Sequence, residues 1–278
     1  MTQIVNLENE NIRLSVDISY GGKPISLINK KHNTEWVWFD EEKKFNFNPE
    51  QYSDYDSQWI GGYEELFPND KVEVFNNRQA PDHGELWASY WKILKKSQTS
   101  LTIVTKGYFT NAYVYKEFDL NSNKLTVHYS FDEINLDTFL FKLHLALPIN
   151  QNKIDFNFES YQKVDEQFGN IASNNNLNNF ISSINKNEGT NDFIYFYGVD
   201  GKISVKDRKD NELILKYDNK TLPYFWIFQS RGGWNGLNVN VLEPCNAGLK
   251  DIDEAVKKNL IYLPKKNKFE TWYTIELS

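Results

Sequence analysis

The sequence contains a single cysteine, Cys245, among its 278 residues. One thiol forms no intramolecular disulfide and lacks the paired spacing of a zinc site, as is typical of a protein in a reducing compartment. The chain also lacks an apolar run of about 18 residues, which a membrane-spanning helix needs. Its first stretch, MTQIVNLENENIRL, has no basic segment followed by an apolar core. We therefore expect a cytoplasmic protein that is neither secreted nor inserted in a membrane.

An excess of basic residues is absent as well. The chain carries 31 Lys and Arg against 38 Asp and Glu, which gives a formal net charge of -7 and a pI near 5.3. A negative protein repels phosphate backbones, so nucleic acid is not expected as a partner. The sequence also contains no GxSxG elbow, no Walker loop and no HExxH motif. These absences argue against serine hydrolases, NTPases and zinc proteases.

Hydrophobic side chains, in contrast, make up 40% of the chain, and aromatic ones 15%. They alternate with polar residues in many short runs, among them KLTVHYSF, KLHLALP, YFWIF, LNVNVLE and TWYTIEL. A period of two is typical of strands, and many strands with few helices favour packed sheets. We predict one all-β domain, residues 1–278, built as a large antiparallel β-sandwich with few short helices.

Three segments are expected to connect the strands. KDIDEAVKKN and NLNNFISSI carry helical periodicity and are predicted to be short helices. The asparagine-rich stretch NIASNNNLNNF, residues 170–180, is predicted to be a long loop, because asparagine competes for backbone hydrogen bonds and tolerates left-handed conformations. Strands of the same character continue on both sides, which favours a loop over a linker between domains.

The four histidines differ in their surroundings. His128 lies on the polar face of its strand and His32 in a polar turn, so both are expected to be solvated. His144 shares a half-apolar strand face with Lys142, which indicates a concave, partly wet surface; a buried structural histidine is the alternative. His83 lies in a loop beside several aromatic residues, a setting that often carries binding or catalytic groups and equally allows a structural role.

Glu243 is the most informative acidic residue. It continues the apolar face of LNVNVLE and precedes Pro244, which cannot extend a central strand. The position predicts either a carboxylate at the mouth of a pocket or an exposed strand end. In a pocket, partial burial would raise its pKa towards that of a useful general base. Four further acids are interpreted as solvated or ligand-contacting residues: Glu64, Glu65, Asp82 and Glu85.

Four segments follow one another as GGYEELFPND, APDHGELWASYW, KLHLALP and GLNVNVLEPCNA. In this order they resemble the aldose 1-epimerase family, whose fold is called galactose mutarotase-like. The stretches YGGKPISLINKKHNTEWVW and FETWYTIEL extend the resemblance over nearly the whole chain. It implies a very large antiparallel supersandwich whose concave face binds a monosaccharide, with no cofactor and no metal.

The resemblance also implies roles for individual residues. The histidine of the HG motif is His83, the later strand histidine is His144, and the glutamate of the EP motif is Glu243. Glu243 is expected to act as base at O1, His144 as acid at O5, and His83 as a second donor near O5. Four neighbours are expected to contact the sugar, two by stacking and two by hydrogen bonds: Trp87, Trp226, Asp82 and Asn69.

The chain departs from the family pattern after His144, where LALPIN replaces an aromatic-rich run. Galactose is therefore not carried over as the substrate, and a hexose phosphate held by Arg78 or Arg231 is an alternative. A carbohydrate-binding protein without turnover is another, because a fold does not imply an activity. A glycosidase or lyase, a third alternative, would require a second carboxylate about 5–10 Å from Glu243 that flanks the cleaved bond. The oligomeric state is not encoded in any of these patterns.

Overall fold

The computed structural model describes residues 3–43, 48–149, 151–165, 170–173, 188–264 and 267–278. Antiparallel strands dominate these residues, which confirms the predicted all-β class. Three larger sheets and one two-stranded hairpin contain the strands, and two short helices lie between them in the described part of the chain.

The strands are numbered in chain order. They are β1 (Ile4–Glu8), β2 (Ile12–Asp17), β3 (Lys23–Asn29), β4 (Thr34–Glu35), β5 (Tyr63–Leu66), β6 (Val74–Phe75), β7 (Arg78–Gln79), β8 (Lys92–Lys96), β9 (Ser100–Lys106), β10 (Tyr113–Asn121), β11 (Lys124–Asp132), β12 (Lys142–Pro148), β13 (Gln151–Asp155), β14 (Ser160–Asp165), β15 (Asn170–Ser173), β16 (Thr190–Tyr197), β17 (Lys202–Asp207), β18 (Glu212–Tyr217), β19 (Tyr224–Arg231), β20 (Asn238–Cys245) and β21 (Phe269–Leu277). The helices are α1 (Tyr55–Gln58) and α2 (Ile252–Lys257).

Two large sheets form the sandwich. One has seven strands in the order β15–β14–β16–β19–β20–β12–β5, and the other has eight in the order β13–β17–β18–β21–β11–β10–β9–β8. A third sheet, β1–β2–β3–β4, shares their core: Val5, Val127 and Leu242, one from each sheet, belong to a single buried cluster. Sheets that bury one face against each other in this way are stabilised by the apolar area they remove from water.

The strands of the eight-stranded sheet alternate as the sequence predicts. In β11, Leu125, Val127, Tyr129 and Phe131 are buried, and the residues between them are more exposed. His128 lies on this outer face, opposite Trp272 of β21. Successive side chains point to opposite faces of a strand, so one face packs on the core and the other meets solvent.

The central strands of the seven-stranded sheet are buried on both faces. In β12, Leu145 belongs to the cluster between the sheets, whereas Ala146 belongs to a second buried cluster on the opposite face. In β20, Leu242 and Val241 are divided in the same way. Polar side chains on this second face lose their water, so they need partners within the protein.

Both helices begin at an aspartate cap. In α2, the predicted helix of KDIDEAVKKN, Asp251 accepts a hydrogen bond from the backbone N–H of Glu254 at 2.9 Å, so this prediction is confirmed. In α1, Asp54 accepts from Ser57 at 2.8 Å. One turn is too short to give helical periodicity, so the sequence did not indicate α1. None of the helices found in the described residues is long and apolar enough to span a bilayer.

The prediction of a loop in the asparagine-rich stretch is wrong for residues 170–173, the part of it that the structure describes. Residues 170–173 form β15, which pairs with β14 at the edge of the seven-stranded sheet. Backbone hydrogen bonds to a neighbouring strand outweigh the local preference of asparagine for turns, because β propensity depends strongly on tertiary context. Residues 174–180 of that stretch and the predicted helix NLNNFISSI lie outside the described residues.

A buried ion pair links the two large sheets. Glu64 and Glu65 follow each other in β5 and point to opposite faces. The Nζ atom of Lys116, in β10, lies 2.6 Å from Glu65 Oε1 and also donates to the carbonyl oxygens of Gly21 at 2.6 Å and Gly22 at 3.0 Å. Lys116 and Glu65 are almost fully buried, so each compensates the other's charge where water cannot.

We expect Lys116→Met to lower the free energy of unfolding by about 3–5 kcal/mol, because Glu65 would lose the partner of a buried charge. Urea unfolding followed by circular dichroism measures this quantity. Lys30→Met is a matched control, since Lys30 lies at the same 2.6 Å from Glu8 but in solvent. Its loss should be much smaller, and equal losses in the two variants would contradict the interpretation.

Candidate active site

The second face of the seven-stranded sheet carries a row of polar and aromatic side chains that includes two of the candidate site residues, His144 and Glu243. Glu64 of β5 pairs with His144 of β12, and Trp226 of β19 pairs with Glu243 of β20. The antiparallel register between β12 and β20 places His144 beside Glu243. Residues directly opposite each other on neighbouring strands point to the same face, so the four side chains form one continuous line across the sheet.

His83 reaches the same region from a loop. Its backbone N–H donates to the Asp70 carbonyl at 3.1 Å, and Glu85 N–H donates to the Phe67 carbonyl at 2.8 Å. Gly84 allows this close approach, because it has a φ of +76° and a Cβ there would lie 2.2 Å from the Phe67 carbonyl oxygen. Two anchored backbone segments therefore fix the position of the His83 imidazole.

His83, His144 and Glu243 line a cavity of about 160 Å³, called the pocket below. Its polar side contains Asp70, His83, Lys142, His144 and Glu243. Its apolar side is formed by four aromatic residues: Trp59, Phe193, Phe228 and Trp234. Ligand sites commonly combine an apolar wall with a few convergent polar groups. The three residues that the resemblance singled out, His83, His144 and Glu243, thus share one pocket.

Lys142 lies between two carboxylates. Its Nζ is 2.5 Å from Asp70 Oδ1 and 2.7 Å from Glu243 Oε2, and it lies 4.6 Å from the centre of the Trp226 ring. Burial raises the pKa of Glu243 to about 7, although Lys142 opposes the shift. Burial acts on Asp70 as well, but Lys142 and His83 outweigh it and lower the pKa of that carboxyl. The two carboxylates in turn raise the pKa of Lys142 above its ordinary value in spite of burial, so it stays charged.

The surroundings of His144 and His83 shift the pKa values of the two imidazoles in opposite directions. Burial, together with the charge of Lys142, lowers the pKa of His144 well below its usual value. Burial also acts on His83, but Asp82, whose Oδ1 lies 2.9 Å from His83 Nδ1, and Asp70 outweigh it and raise its pKa. These shifts favour the neutral form of His144 and the protonated form of His83. Such paired perturbations are characteristic of acid/base sites.

Two of the predicted sugar-binding residues lie beside the pocket and brace it. Asp82 binds the His83 imidazole and also accepts from Tyr55 N–H at 3.1 Å. Asn69 is fully buried, and its amide donates to the carbonyls of Lys71 at 2.7 Å and Pro81 at 2.6 Å. Neither side chain lines the pocket. A loop this close to a site needs its own internal hydrogen bonds, and these residues supply them.

The two predicted stacking residues require correction. Trp226 is completely buried, with Lys142 over its ring, so it presents no face to a ligand. Trp87 is also buried; its Nε1 donates to the Asp82 carbonyl at 3.1 Å, and its ring meets Tyr55 edge-on. Aromatic side chains fill buried space as readily as they line sites, which is why sequence position alone misplaced them.

Three acids expected to be solvated or sugar-contacting are buried instead. Glu64 bonds Lys23 and Tyr55, Glu65 pairs with Lys116, and Glu85 accepts from Phe109 N–H and the Thr110 hydroxyl. Each carboxylate is compensated by an ammonium group or by several donors, which is the usual condition for burying a charge. Their roles are structural contacts around the pocket and the core.

Sequence reasoning missed much of the pocket. Tyr55 and Trp59 come from α1 and the residue after it, and Trp234 comes from the turn after β19. Asp70 lies in the GGYEELFPND segment, and Lys142 lies on the predicted face of His144. The sequence thus contained a signal for both residues, but no function was predicted for either. The two basic candidates for a phosphate, Arg78 and Arg231, do not line the pocket. Among the described residues, no cluster of His, Cys, Asp and Glu could hold a metal ion.

The chain folds as a large antiparallel β-sandwich of the galactose mutarotase-like type, with carboxylate and imidazole groups in one pocket. No family model and no curated protein matches the sequence. Among solved structures, a candidate aldose 1-epimerase from Escherichia coli K12 is similar over 100% of this chain and 99% of its own, at 16% identity and a TM-score of 0.73.

Two further solved structures resemble the chain over nearly their full lengths. A galactose mutarotase-related enzyme from Lactobacillus acidophilus has 14% identity and a TM-score of 0.67, over 99% of this chain and 97% of its own. A galactose mutarotase-like protein from Clostridium acetobutylicum has 10% identity and a TM-score of 0.72, over 100% and 98%. At these identities the comparison shows a shared fold.

We expect Lys142→Met to raise the pKa of Glu243 further above 7, because the cation that opposes the effect of burial would be gone. A carbon-13 NMR titration of the Glu243 carboxyl measures this shift directly. Lys250→Met serves as the control: Lys250 lines the same pocket, but Lys142 is the cation that most strongly opposes the effect of burial on Glu243, so the control should shift the pKa of Glu243 much less. A Glu243 pKa unchanged in Lys142→Met would contradict the assignment.

Proposed function

We propose that the protein interconverts the α and β anomers of a monosaccharide by acid/base opening and closing of the sugar ring. The observation that carries this proposal is the convergence of Glu243, His83 and His144 on one pocket with an aromatic wall. A pyranose has hydroxyl groups at its rim and C–H groups on its faces. Carboxylate and imidazole groups can form hydrogen bonds with the hydroxyl groups, and aromatic side chains can pack against the C–H groups.

Ring opening requires two proton transfers. The Glu243 carboxylate takes the proton of the O1 hydroxyl while an imidazolium gives a proton to O5. The C1–O5 bond breaks with its electron pair on O5, and a C1=O1 double bond forms. Rotation about C1–C2 presents the other aldehyde face, and the reverse transfers close the ring. The carboxylate and the imidazolium are regenerated, so the cycle balances without another reactant.

The pKa directions support Glu243 as the base and favour His83 as the acid. A pKa of about 7 lets Glu243 both accept and return a proton near neutrality. His83, with a raised pKa, carries the proton that O5 needs, and Asp82 holds its Nδ1 so that Nε2 is the nitrogen available to a ligand. The resemblance to the aldose 1-epimerase family implied His144 as the acid, but the lowered pKa of His144 makes it a weaker candidate.

A glycosidase is not favoured. Asp70 is a second carboxylate near Glu243, and both contact Lys142 Nζ, at 2.5 and 2.7 Å. The ammonium group therefore occupies the space between them. Two catalytic carboxyl groups of a glycosidase must instead flank the bond that is cleaved, with the sugar between them.

Glu243→Gln tests the enzyme against a binding protein on the same scaffold. We expect the variant to keep sugar affinity by calorimetry and to lose about 10²–10⁴-fold in the rate of anomer exchange, because the amide cannot take the O1 proton. NMR exchange between anomers, screened over free and phosphorylated aldoses, identifies the substrate and measures this rate.

The exposed α2 substitution Glu254→Gln is the control for Glu243→Gln, and it should retain both rate and affinity. A wild-type rate in Glu243→Gln would exclude Glu243 as the base. Sugar binding by the wild-type protein, with no exchange above the spontaneous rate for any aldose, would instead support the carbohydrate-binding alternative.

The pH profile of kcat/KM separates the two imidazoles. The rate should rise through about pH 7 as Glu243 loses its proton, and fall at higher pH as His83 loses its own. His83→Asn should lower the rate about 10²–10⁴-fold and abolish the alkaline fall. His144→Asn should lower the rate and keep that fall. Loss of the alkaline fall in His144→Asn alone would return the acid role to His144.

A further inference from the structure

Tyr55 connects His144 to a buried charge pair. Its hydroxyl lies 2.5 Å from Glu64 Oε1 and 3.3 Å from His144 Nδ1. The other oxygen of that carboxylate, Oε2, is 2.6 Å from Lys23 Nζ, and Trp59 Nε1 donates to Oε1 at 3.0 Å. A line of contacts therefore runs from the Lys23 ammonium through Glu64 and Tyr55 to the imidazole. Tyr55, Glu64 and Lys23 are almost fully buried.

The direction of these hydrogen bonds follows from the groups involved. A carboxylate that forms an ion pair can only accept, so Glu64 takes the single hydroxyl proton of Tyr55. The Tyr55 oxygen then has only lone pairs to offer to His144. A neutral imidazole carries one proton, and Nδ1 must hold it to donate to that oxygen. The opposite nitrogen, Nε2, is 3.6 Å from Glu243 Oε1, which is beyond hydrogen-bond distance.

We propose that Tyr55, oriented by Glu64 and Lys23, holds His144 as the Nδ1–H tautomer and so presents a bare Nε2 to the pocket. Tyr55 is a positioning residue in this arrangement, because it acts through His144. An orienting partner on one imidazole nitrogen sets the chemistry of the other, as in other acid/base sites. The Nε2 atom accepts a hydrogen bond from a ligand hydroxyl and cannot donate one.

This tautomer has a consequence for catalysis that rests on the proposed function. A His144 that accepts at Nε2 holds or polarises a sugar hydroxyl beside Glu243, and the proton for O5 comes from His83. The Tyr55 ring also stacks on the His83 imidazole, with ring centres 4.0 Å apart and planes inclined by 11°. One tyrosine thus fixes the tautomer of one imidazole through its hydroxyl and the orientation of the other through its ring.

Long-range proton–nitrogen NMR spectra of histidine-labelled protein show which ring nitrogen carries the proton. The signals of His144 are those that disappear in His144→Asn. At neutral pH, in the wild-type protein without sugar, we expect a single neutral form with Nδ1 protonated. A proton found on Nε2 overturns the proposal, and this measurement needs no variant with a changed hydroxyl.

Tyr55→Phe tests the cause of the tautomer, because it removes the hydroxyl and keeps the ring that packs on His83. We expect the Nε2–H form of His144 to appear in its spectrum. Tyr129→Phe is the matched control: the Tyr129 hydroxyl is also buried and donates to the neighbouring carboxylate, Glu65, at 3.2 Å, on the other face of β5. The proposal fails if Tyr55→Phe leaves the tautomer unchanged or if Tyr129→Phe alters it equally.

Kinetics separate this inference from the function on which its catalytic role rests. With activity present, Tyr55→Phe should lower kcat at least about tenfold while the alkaline fall assigned to His83 persists. A wild-type kcat in a variant whose tautomer has shifted would overturn the catalytic role. If no aldose is turned over by the wild-type protein, the proposed function fails, but the tautomer result stands because it is measured without substrate.

Discussion

The contact on which the site depends is the placement of the Lys142 ammonium between Asp70 and Glu243. A lone charge at this depth would be expelled or neutralised, so neither carboxyl group could stay both buried and ionised near neutrality without the lysine. With the lysine in place, Glu243 can be buried and still ionise near neutrality, since burial and Lys142 shift its pKa in opposite directions. Burial and the same ammonium together lower the pKa of His144, two residues along β12, so one cation acts on two neighbouring groups.

The seven-stranded sheet makes this arrangement possible because its central strands are buried on both faces. One face packs on the eight-stranded sheet, and the other is covered by a second cluster that includes the loop and helix residues Trp87 and Tyr55. Glu243, His144 and Lys142 are thus held by rigid strands, whereas His83 is carried by a loop that is tied down by backbone hydrogen bonds. Positioning on a rigid framework is what acid/base chemistry requires, because proton transfer depends on distances of a few tenths of an ångström.

Strand alternation was enough to place His144 and Lys142 on one face and Glu243 at the end of an apolar stripe. It was not enough to distinguish a residue that lines the pocket from a buried residue that supports it. Trp226 has the same strand pattern as a stacking residue, yet it lies beneath Lys142, and Glu64 has the pattern of a solvated acid, yet it pairs with Lys23. In both cases the partner is distant in sequence, so no local pattern contains it. Asn170, at the start of β15, likewise pairs with its strand neighbour in β14 instead of following its own turn preference.

The sequence alone indicated the all-β class, the alternating faces of strands such as β11 and the three residues that the resemblance selected, because these depend on periodicity and on short motifs. Tertiary structure decided what lies between those residues: Lys142 between two carboxylates, and Tyr55 between Glu64 and His144. Charge states and hydrogen-bond directions arise from burial and from contacts across the fold. These are properties of an assembled pocket, and a linear order of residues does not contain them.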